Sequence, residues 1–366
     1  MAMTCIKRGA SERWHGCKPG VCGSWQSGQN KKMLLPSARP LSLNAQYLGS
    51  SGAGLSALAS ATFADVEDQA GALTGWNQDY LQLSAGAFQG EICQIEGAGI
   101  KLFIERDQRS LLQTGVLPRN VLAVGIPLDA SGTGMFCGQA CASDAFHVFS
   151  GASGFEFKTS QQHTMLGIEL KLSEAWLGET GSVDGSGHHR NLPAQAGALQ
   201  MDPASQAELK TYVLSLLQSA QTAPGILSSP AVVATVADYL LDHMTHRSVG
   251  RVLSDAPPAH QKLVQKACAL VHDTWDETPT VAQLCIDLGV SRRTLQNGFQ
   301  RTLNVSPLTY LKAVRLGQAR RALKQADSVT EAATAFGFWH FGHFSQDYLN
   351  QFGERPSDTL KRHRGE

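Results

Sequence analysis

The sequence of 366 residues has no long hydrophobic run. No apolar stretch approaches the roughly eighteen residues of a membrane-spanning helix, so we expect no membrane span. The first forty residues also lack the continuous apolar segment of a secretory signal. The sequence therefore predicts a cytoplasmic protein that has no membrane partner.

An excess of charge of one sign is also missing, because 31 Lys and Arg residues balance 31 Asp and Glu residues. The distribution along the chain is nevertheless uneven. Residues 251–366 carry a net charge of +4, whereas residues 46–250 carry a net charge of −10. A basic C-terminal module joined to an acidic body is typical of a DNA-binding protein that has a separate sensing domain.

Residues 1–45 have little that could form a hydrophobic core. Seven Lys and Arg residues and one acidic residue stand among many Gly and Ser residues, and such a composition predicts a disordered basic segment. Cys5, Cys17 and Cys22 with His15 could suggest a zinc site, but no second closely spaced Cys pair lies nearby, so we expect no metal there. A start codon assigned too far upstream is an alternative explanation of this segment.

The C-terminal region contains a helix-turn-helix pattern that occurs twice. In the first copy, residues 281–301, apolar residues recur at helical spacing up to Leu288, Gly289 supplies a sharp turn, and Ser291 is suited to cap the next helix. The outward-facing residues are Arg292, Arg293, Gln296, Asn297 and Arg301. Arg, Gln and Asn can make bidentate hydrogen bonds to base edges in the major groove, so these residues are candidate DNA contacts.

The second copy, residues 329–348, has a different outer face. Its candidate DNA contacts are Phe341, His343, Ser345 and Gln346, followed by an acidic residue, Asp347. Because this face offers no Lys or Arg to the phosphates, it should bind DNA more weakly than the first. Phe344 is expected in the core, whereas Trp339 and Phe341 could either pack in the core or stay exposed, with Phe341 touching a thymine methyl group.

A helix between the two copies is predicted to fix their separation. Ser306 is a suitable N-cap, Pro307 is favoured at the first helical position, and apolar residues continue at helical spacing to about Lys324. Successive major-groove segments on one face of B-DNA are about 34 Å apart, so a single chain could occupy two of them.

These motifs closely resemble the DNA-binding domain of the AraC/XylS family of transcription regulators, over residues 267–362. The matching residues are Leu288-Gly289-Val290-Ser291, Leu295, Phe299, Ser306-Pro307, Tyr310, Arg315, Leu316, Gly337-Phe338, Phe344, Tyr348, Phe352, Gly353 and Pro356. Within the family, residues 291–297 and 337–341 look most similar to the ethanolamine operon regulator. The resemblance implies that Arg293, Gln296 and Asn297 read bases.

The resemblance also implies the partners of the protein. They are double-stranded DNA at a promoter or operator, RNA polymerase, a small-molecule effector and, as a possibility for the helical connector, a second copy of the chain. The likeness within the family points to ethanolamine or adenosylcobalamin as the effector. No cofactor is expected to be required.

The region before the DNA-binding domain predicts an α+β protein. Over residues 60–177, short strand-like runs alternate with Gly-rich turns, and the resemblance implies a cupin-like jelly-roll effector domain. His147 and His163 stand alone there, without the His pair and carboxylate of cupin enzymes, so we expect neither a metal site nor catalytic residues. Residues 200–246 predict amphipathic connector helices, and residues 259–366 form the all-α domain with both helix-turn-helix units.

The sequence thus favours a non-enzymatic, sequence-specific transcription regulator, with activation as the expected mode. Since residues 259–366 already contain both recognition helices, an effector should act by changing how the sensor presents them. Two alternatives stay open. A DNA-repair methyltransferase can carry the same module, but its acceptor cysteine lies in a Pro-Cys-His-Arg context that no cysteine here has. A constitutive DNA-binding protein with a dimerisation domain would not respond to a ligand.

Overall fold

The computed structural model describes most of the chain after residue 58. The described residues are 59–130, 132, 134–141, 145–150, 154–172, 196–246, 248–251, 259–273 and 278–364. The predicted disordered segment and its cysteines lie outside them. No helix in the described part of the chain is long and apolar enough to cross a membrane.

Two antiparallel sheets make up the N-terminal part. The strands are β1 (Ala59–Phe63), β2 (Asn77–Gln82), β3 (Gly90–Glu96), β4 (Ile100–Asp107), β5 (Leu111–Val116), β6 (Val121–Ala130), β7 (Gly134–Phe136), β8 (Gln139–Cys141), β9 (Ala145–Ser150), β10 (Phe155–Lys158), β11 (His163–Lys171), β12 (Gly197–Met201) and β13 (Ser248–Arg251). The larger sheet has the order β1-β3-β4-β11-β6-β9-β12-β13, and the smaller has the order β2-β5-β10-β7-β8. The predicted β-rich fold is confirmed.

The central strands of the larger sheet are buried on both faces. In β4, Phe103 faces the smaller sheet and shares a core with Phe149 and Phe157, whereas the adjacent Leu102 faces the other way, towards helices. Successive side chains of a strand point to opposite faces, so a strand covered on both sides reads as a continuous apolar run. This explains why β6 has no polar side chain between Val121 and Leu128.

The connector helices pack on the outer face of the larger sheet. They are α2 (Pro203–Thr222), a 3-10 helix (Pro224–Ser228) and α3 (Pro230–His246), preceded by the short α1 (Val66–Ala70) between β1 and β2. Leu209 and Val213 of α2 and Leu240 of α3 share one core with Leu102 and Ile168 of the sheet. Their apolar stripes are therefore used within the chain, and a homodimer contact would have to use other residues.

The β domain extends beyond the expected boundary at residue 177. Strand β12 pairs with β9 on one side and with β13 on the other, so residues 197–201 and 248–251 belong to the larger sheet. Residues 248–251 had the composition of a linker rather than of a strand. Short edge strands carry too few alternating residues to be recognised from sequence.

Seven helices are described in the C-terminal part: α4 (Ala259–Asp273), α5 (Val281–Asp287), α6 (Arg292–Leu303), α7 (Pro307–Leu323), α8 (Val329–Ala335), α9 (Phe341–Phe352) and α10 (Pro356–Arg364). One core surrounds Leu295 and Phe299, and a second surrounds Phe344 and Tyr348. Helix α7 begins at Pro307 as predicted and contributes to both cores. The two helix-turn-helix units are thus separate packing units joined by one shared helix.

Candidate nucleic-acid interface

The first helix-turn-helix unit, α5 and α6, has the local geometry that its sequence predicts. Gly289 adopts a φ of +63°, which a residue with a Cβ disfavours, and so allows the tight turn between the helices. The Ser291 hydroxyl oxygen accepts a hydrogen bond from the backbone N–H of Thr294 at 3.1 Å, and this caps the start of α6. The recognition helix therefore begins at a fixed residue and in a fixed direction.

The outward face of α6 is free to meet a ligand. Leu295 and Phe299 are fully buried, and Gly298 lies close to Val264 of α4, so the inner face of the helix is set by packing. All five candidate DNA contacts of this helix are exposed: Arg292, Arg293, Gln296, Asn297 and Arg301. Within the described part of the chain, these side chains make no hydrogen bond or ion pair. The structure brings them together on one surface, as the spacing predicted.

The second unit, α8 and α9, has the same turn, with an additional polar support. Gly337 adopts a φ of +73°. The Arg315 guanidinium donates hydrogen bonds to the carbonyl oxygens of Phe336, at 3.1 Å, and Gly337, at 2.8 Å, and lies 4.5 Å from the centre of the Phe338 ring. Arg315 thus satisfies carbonyl groups that the end of α8 leaves unpaired. The sequence identified Arg315 only as a family match and gave no role for it.

The outer face of α9 combines aromatic and uncharged polar side chains. Phe344 is buried, as expected, whereas Trp339 is 72% exposed and Phe341 is 42% exposed. Among the other candidates, His343 and Gln346 are exposed and Ser345 is half-buried. Trp339 and Phe341 are therefore exposed rather than packed in the core.

The acidic residue on α9 is neutralised within the chain. The Asp347 carboxylate forms an ion pair with the Lys312 ammonium group of α7 at 2.8 Å. An unpaired carboxylate at this place would repel DNA phosphates. The ion pair reduces that repulsion and at the same time joins α9 to the shared helix.

A cation next to α9 was missed by reading the helix alone. Arg355 is exposed and lines a groove of about 350 Å³ together with Ser345 and Gln346. It immediately precedes Pro356, the first residue of α10, and the left-handed Gly353 turns the chain so that this point lies beside the recognition helix. The second unit can therefore offer one guanidinium group to a phosphate, although α9 itself has none.

His147 and His163 of the β domain pack among aromatic side chains. His147 stacks on Phe136, with ring centres 4.7 Å apart, and His163 lies against Phe157 at 5.2 Å. The two histidines, distant in sequence, line one small cavity together. Burial lowers the pKa of His147 to about 3 and the pKa of His163 to about 4, so both are uncharged near neutral pH. No group of three or more metal-binding side chains occurs among the described residues.

Comparisons with known proteins agree with the geometry of the C-terminal region. A family model described as "Helix-turn-helix domain" matches residues 284–362. The chain is 38% identical over 113 residues to the "Probable thc operon regulatory protein" of Rhodococcus erythropolis, covering 30% of this chain and 34% of that protein. It is 29% identical over 131 residues to "XylDLEGF operon transcriptional activator 3" of Pseudomonas putida, covering 35% and 38% respectively.

One solved structure is similar to part of this chain. It is the crystal structure of a probable AraC family transcriptional regulator from Rhodopseudomonas palustris CGA009, with 35% sequence identity and a TM-score of 0.26, covering 28% of this chain and 97% of that chain. The chain spans only about a third of the length of the two curated relatives. Neither is named for an ethanolamine operon, so the expected likeness to that regulator stays a prediction. Residues 284–362, with their two helix-turn-helix units, are a helix-turn-helix domain similar to those of AraC-type regulators.

Proposed function

We propose that the chain is a sequence-specific transcription regulator that activates transcription in response to a small molecule. The observation that carries this proposal is the exposed surface of α6, where three Arg residues surround Gln296 and Asn297. Arginine supplies charge for phosphates and bidentate donors for guanine, and Gln or Asn can pair with adenine. A duplicated unit that carries such a surface is suited to two successive major-groove segments of one operator.

The β domain is proposed to be the sensor. Ethanolamine and adenosylcobalamin are the first compounds to test, because of the likeness seen in residues 291–297 and 337–341. RNA polymerase and a second copy of the chain are the proposed protein partners of the activator.

The chemistry of three of the described cysteines disfavours them as methyl acceptors. Burial raises the pKa of the Cys137 thiol to about 11 and of the Cys141 and Cys268 thiols to about 12. A methyl acceptor must react as a thiolate, and a raised pKa keeps these thiols protonated. Mass spectrometry of the protein after incubation with methylated DNA tests the alternative directly, because methyl transfer adds a fixed mass to one cysteine.

The experiment for the proposed function begins with selection of bound sequences from a random duplex library by the full chain. We expect one enriched operator with two half-sites about one helical turn apart. Reporter expression from that operator is then measured with and without ethanolamine and adenosylcobalamin, alongside melting temperatures of the protein in each ligand. Failure to enrich any sequence would contradict a DNA-reading function. Enrichment and expression that no ligand alters would favour the constitutive alternative.

A further inference from the structure

We propose that the sensor domain holds the two helix-turn-helix units at one fixed relative position. It thereby sets the spacing between the two DNA half-sites that the protein accepts. This inference rests on the proposed function. The contacts that carry it lie between the β-rich sensor domain and the C-terminal helices α4–α10, which we call the reader. We call these contacts the seam. The seam consists of Asp65, Glu67, Asp79, Gln82, Leu83, Gly86 and Leu112 of the sensor, with Tyr310, Arg320, Arg321, Lys324, Asn350, Gln351 and Gly353 of the reader.

The first contact of the seam is apolar and reaches the first unit. Leu83 and Leu112, at the β2–β5 edge of the smaller sheet, are buried in the same core as Val264, Phe299 and Tyr310. Removal of apolar side chains from water is the main stabilising contribution to a protein core. The sensor therefore supplies part of the hydrophobic core beneath the first recognition helix.

The second contact joins the sensor to the end of the second recognition helix. The Gln82 amide donates to the backbone carbonyl of Gln351 at 2.8 Å, and the Gln351 amide donates to the backbone carbonyl of Gln82 at 2.8 Å. The backbone N–H of Gly86 donates to the carbonyls of Asn350, at 3.0 Å, and Gln351. These carbonyls belong to the last turn of α9, where a helix has no partners of its own. The sensor thus caps α9.

The approach at this point is close enough to exclude a side chain. A Cβ at Gly353 would lie 2.7 Å from the Cβ of Ala87, and Gly353 also has a φ of +73°. The same glycine therefore ends α9 and lets the sensor reach it.

The third contact is electrostatic and holds the helix shared by both units. The Asp65 carboxylate accepts from Arg320 of α7 and from Lys324, the residue that follows α7, each at 3.0 Å. Glu67 pairs with Lys324 at 2.9 Å and with Arg321. The side chains of Asp65 and Arg320 are only 5% and 6% exposed. Burial alone would raise the pKa of Asp65, but Arg320 and Lys324 outweigh it and lower the pKa to about 2.

The seam leaves both reading faces uncovered. Arg293 and Gln296 on α6, and Phe341 and His343 on α9, are all exposed while the contacts above are made. Docking of the sensor therefore does not mask the DNA-binding surface. Because the sensor contacts the first core, the shared helix and the end of α9 at once, it restricts bending of the reader about α7, which would otherwise be the main connection between the units.

The test measures operator affinity as a function of half-site spacing, using the enriched operator with one base pair removed, unchanged, or with one or two inserted. Each inserted pair moves the second half-site by about 3.4 Å and rotates it by about 35°. The seam variant combines Glu67→Gln with Gln351→Ala, which removes the charge of Glu67 and the hydrogen bond from the Gln351 amide to the Gln82 carbonyl without altering the reading faces. Its matched control combines Glu91→Gln with Gln265→Ala, the same chemical changes outside the seam.

We expect the unchanged protein and the control to lose about tenfold in affinity for one inserted pair, which is the whole contribution of the second half-site, and the seam variant to lose about threefold or less. An unchanged spacing profile, or a loss that is uniform across all spacings as from simple destabilisation, would overturn the proposal. If the double variant does not fold, Gln351→Ala alone is measured by the same criterion. The absence of any enriched operator would instead count against the proposed function.

Discussion

The two helix-turn-helix units have the same backbone and different surfaces. Both recognition helices are twelve residues long, and both follow a glycine with positive φ. Each helix is followed by a residue in the left-handed conformation, Asn304 after α6 and Gly353 after α9. Only α6 carries arginine on its outer face, whereas α9 is flanked by the exposed rings of Trp339 and Phe341. Interior packing therefore determines the motif and leaves the outer face free to diverge.

The units also differ in what holds them. The C-terminal end of α9 accepts hydrogen bonds from the sensor backbone and the Gln82 side chain, while the end of α6 carries a local hydrogen bond between Gln300 and Asn304, at 2.6 Å. One unit is thus rich in charge for DNA, and the other is rich in contacts to the sensor. We therefore expect the first unit to supply most of the DNA affinity, while the end of α9 adds polar contacts to the sensor.

The largest expected effect comes from scrambling one operator half-site at a time. Loss of the first half-site removes base contacts worth about 1–3 kcal/mol each together with arginine-phosphate contacts, so affinity should fall by at least about 100-fold. Loss of the second half-site should cost about tenfold or less. Footprinting and gel shifts at two salt concentrations measure both. Equal losses of affinity from scrambling either half-site would contradict the expected difference between the two units.

The second prediction concerns base reading by α6. Replacing Arg293, Gln296 or Asn297 with Ala should each cost about 1–3 kcal/mol of discrimination at one base pair, because each removes a donor from the exposed face. Binding to all single-base variants of the operator measures this, with Gln265→Ala on α4 as the control for loss of a surface amide. If all three replacements preserve the base preferences, α6 does not lie in the groove.

The third prediction concerns the attachment of the shared helix. Asp65 has a pKa of about 2 in the folded protein against 3.8 for the free group, so its contribution to stability is present above pH 4 and is lost as the pH falls towards 2. That contribution is about 2 kcal/mol. Asp65→Asn should therefore lower the free energy of unfolding at pH 7 by about 2 kcal/mol or more, since it leaves Arg320 partly unpaired in a buried place.

Urea unfolding of both proteins between pH 7 and pH 3 measures this difference. The difference in free energy of unfolding between the unchanged protein and Asp65→Asn should decrease as the pH falls towards 3. Protonation of Asp65 removes the same charge that the substitution removes. Asp327→Asn is the matched control, since the side chain of Asp327 is fully exposed. A gap that is constant with pH would show that the charge of Asp65 does not hold α7.

The sequence was most informative where structure is local. Gly289, Ser291 and Pro307 predicted turns and helix starts because each acts on its own backbone or within one helical turn. It failed at contacts between distant residues: Asp65 and Arg320 are 255 positions apart, and no periodic pattern marks either as a partner. Arg355 was missed because it faces α9 only after Gly353 turns the chain.

The smallest expected effect tests whether the second unit contributes to phosphate binding at all. Arg355 is the exposed guanidinium beside Ser345 and Gln346, and a single phosphate contact changes the slope of log affinity against log salt by about one. Arg355→Ala should therefore weaken binding a few-fold, equally for all operator sequences, and make the slope shallower by about one. Arg119→Ala, which removes an exposed arginine from a turn of the β domain, should change neither quantity. If Arg355→Ala altered base preference instead, the groove would belong to the reading surface. If it changed nothing, the second unit would bind DNA through its uncharged side chains alone. Of the two units, only the first would then contribute cationic side chains to phosphate binding.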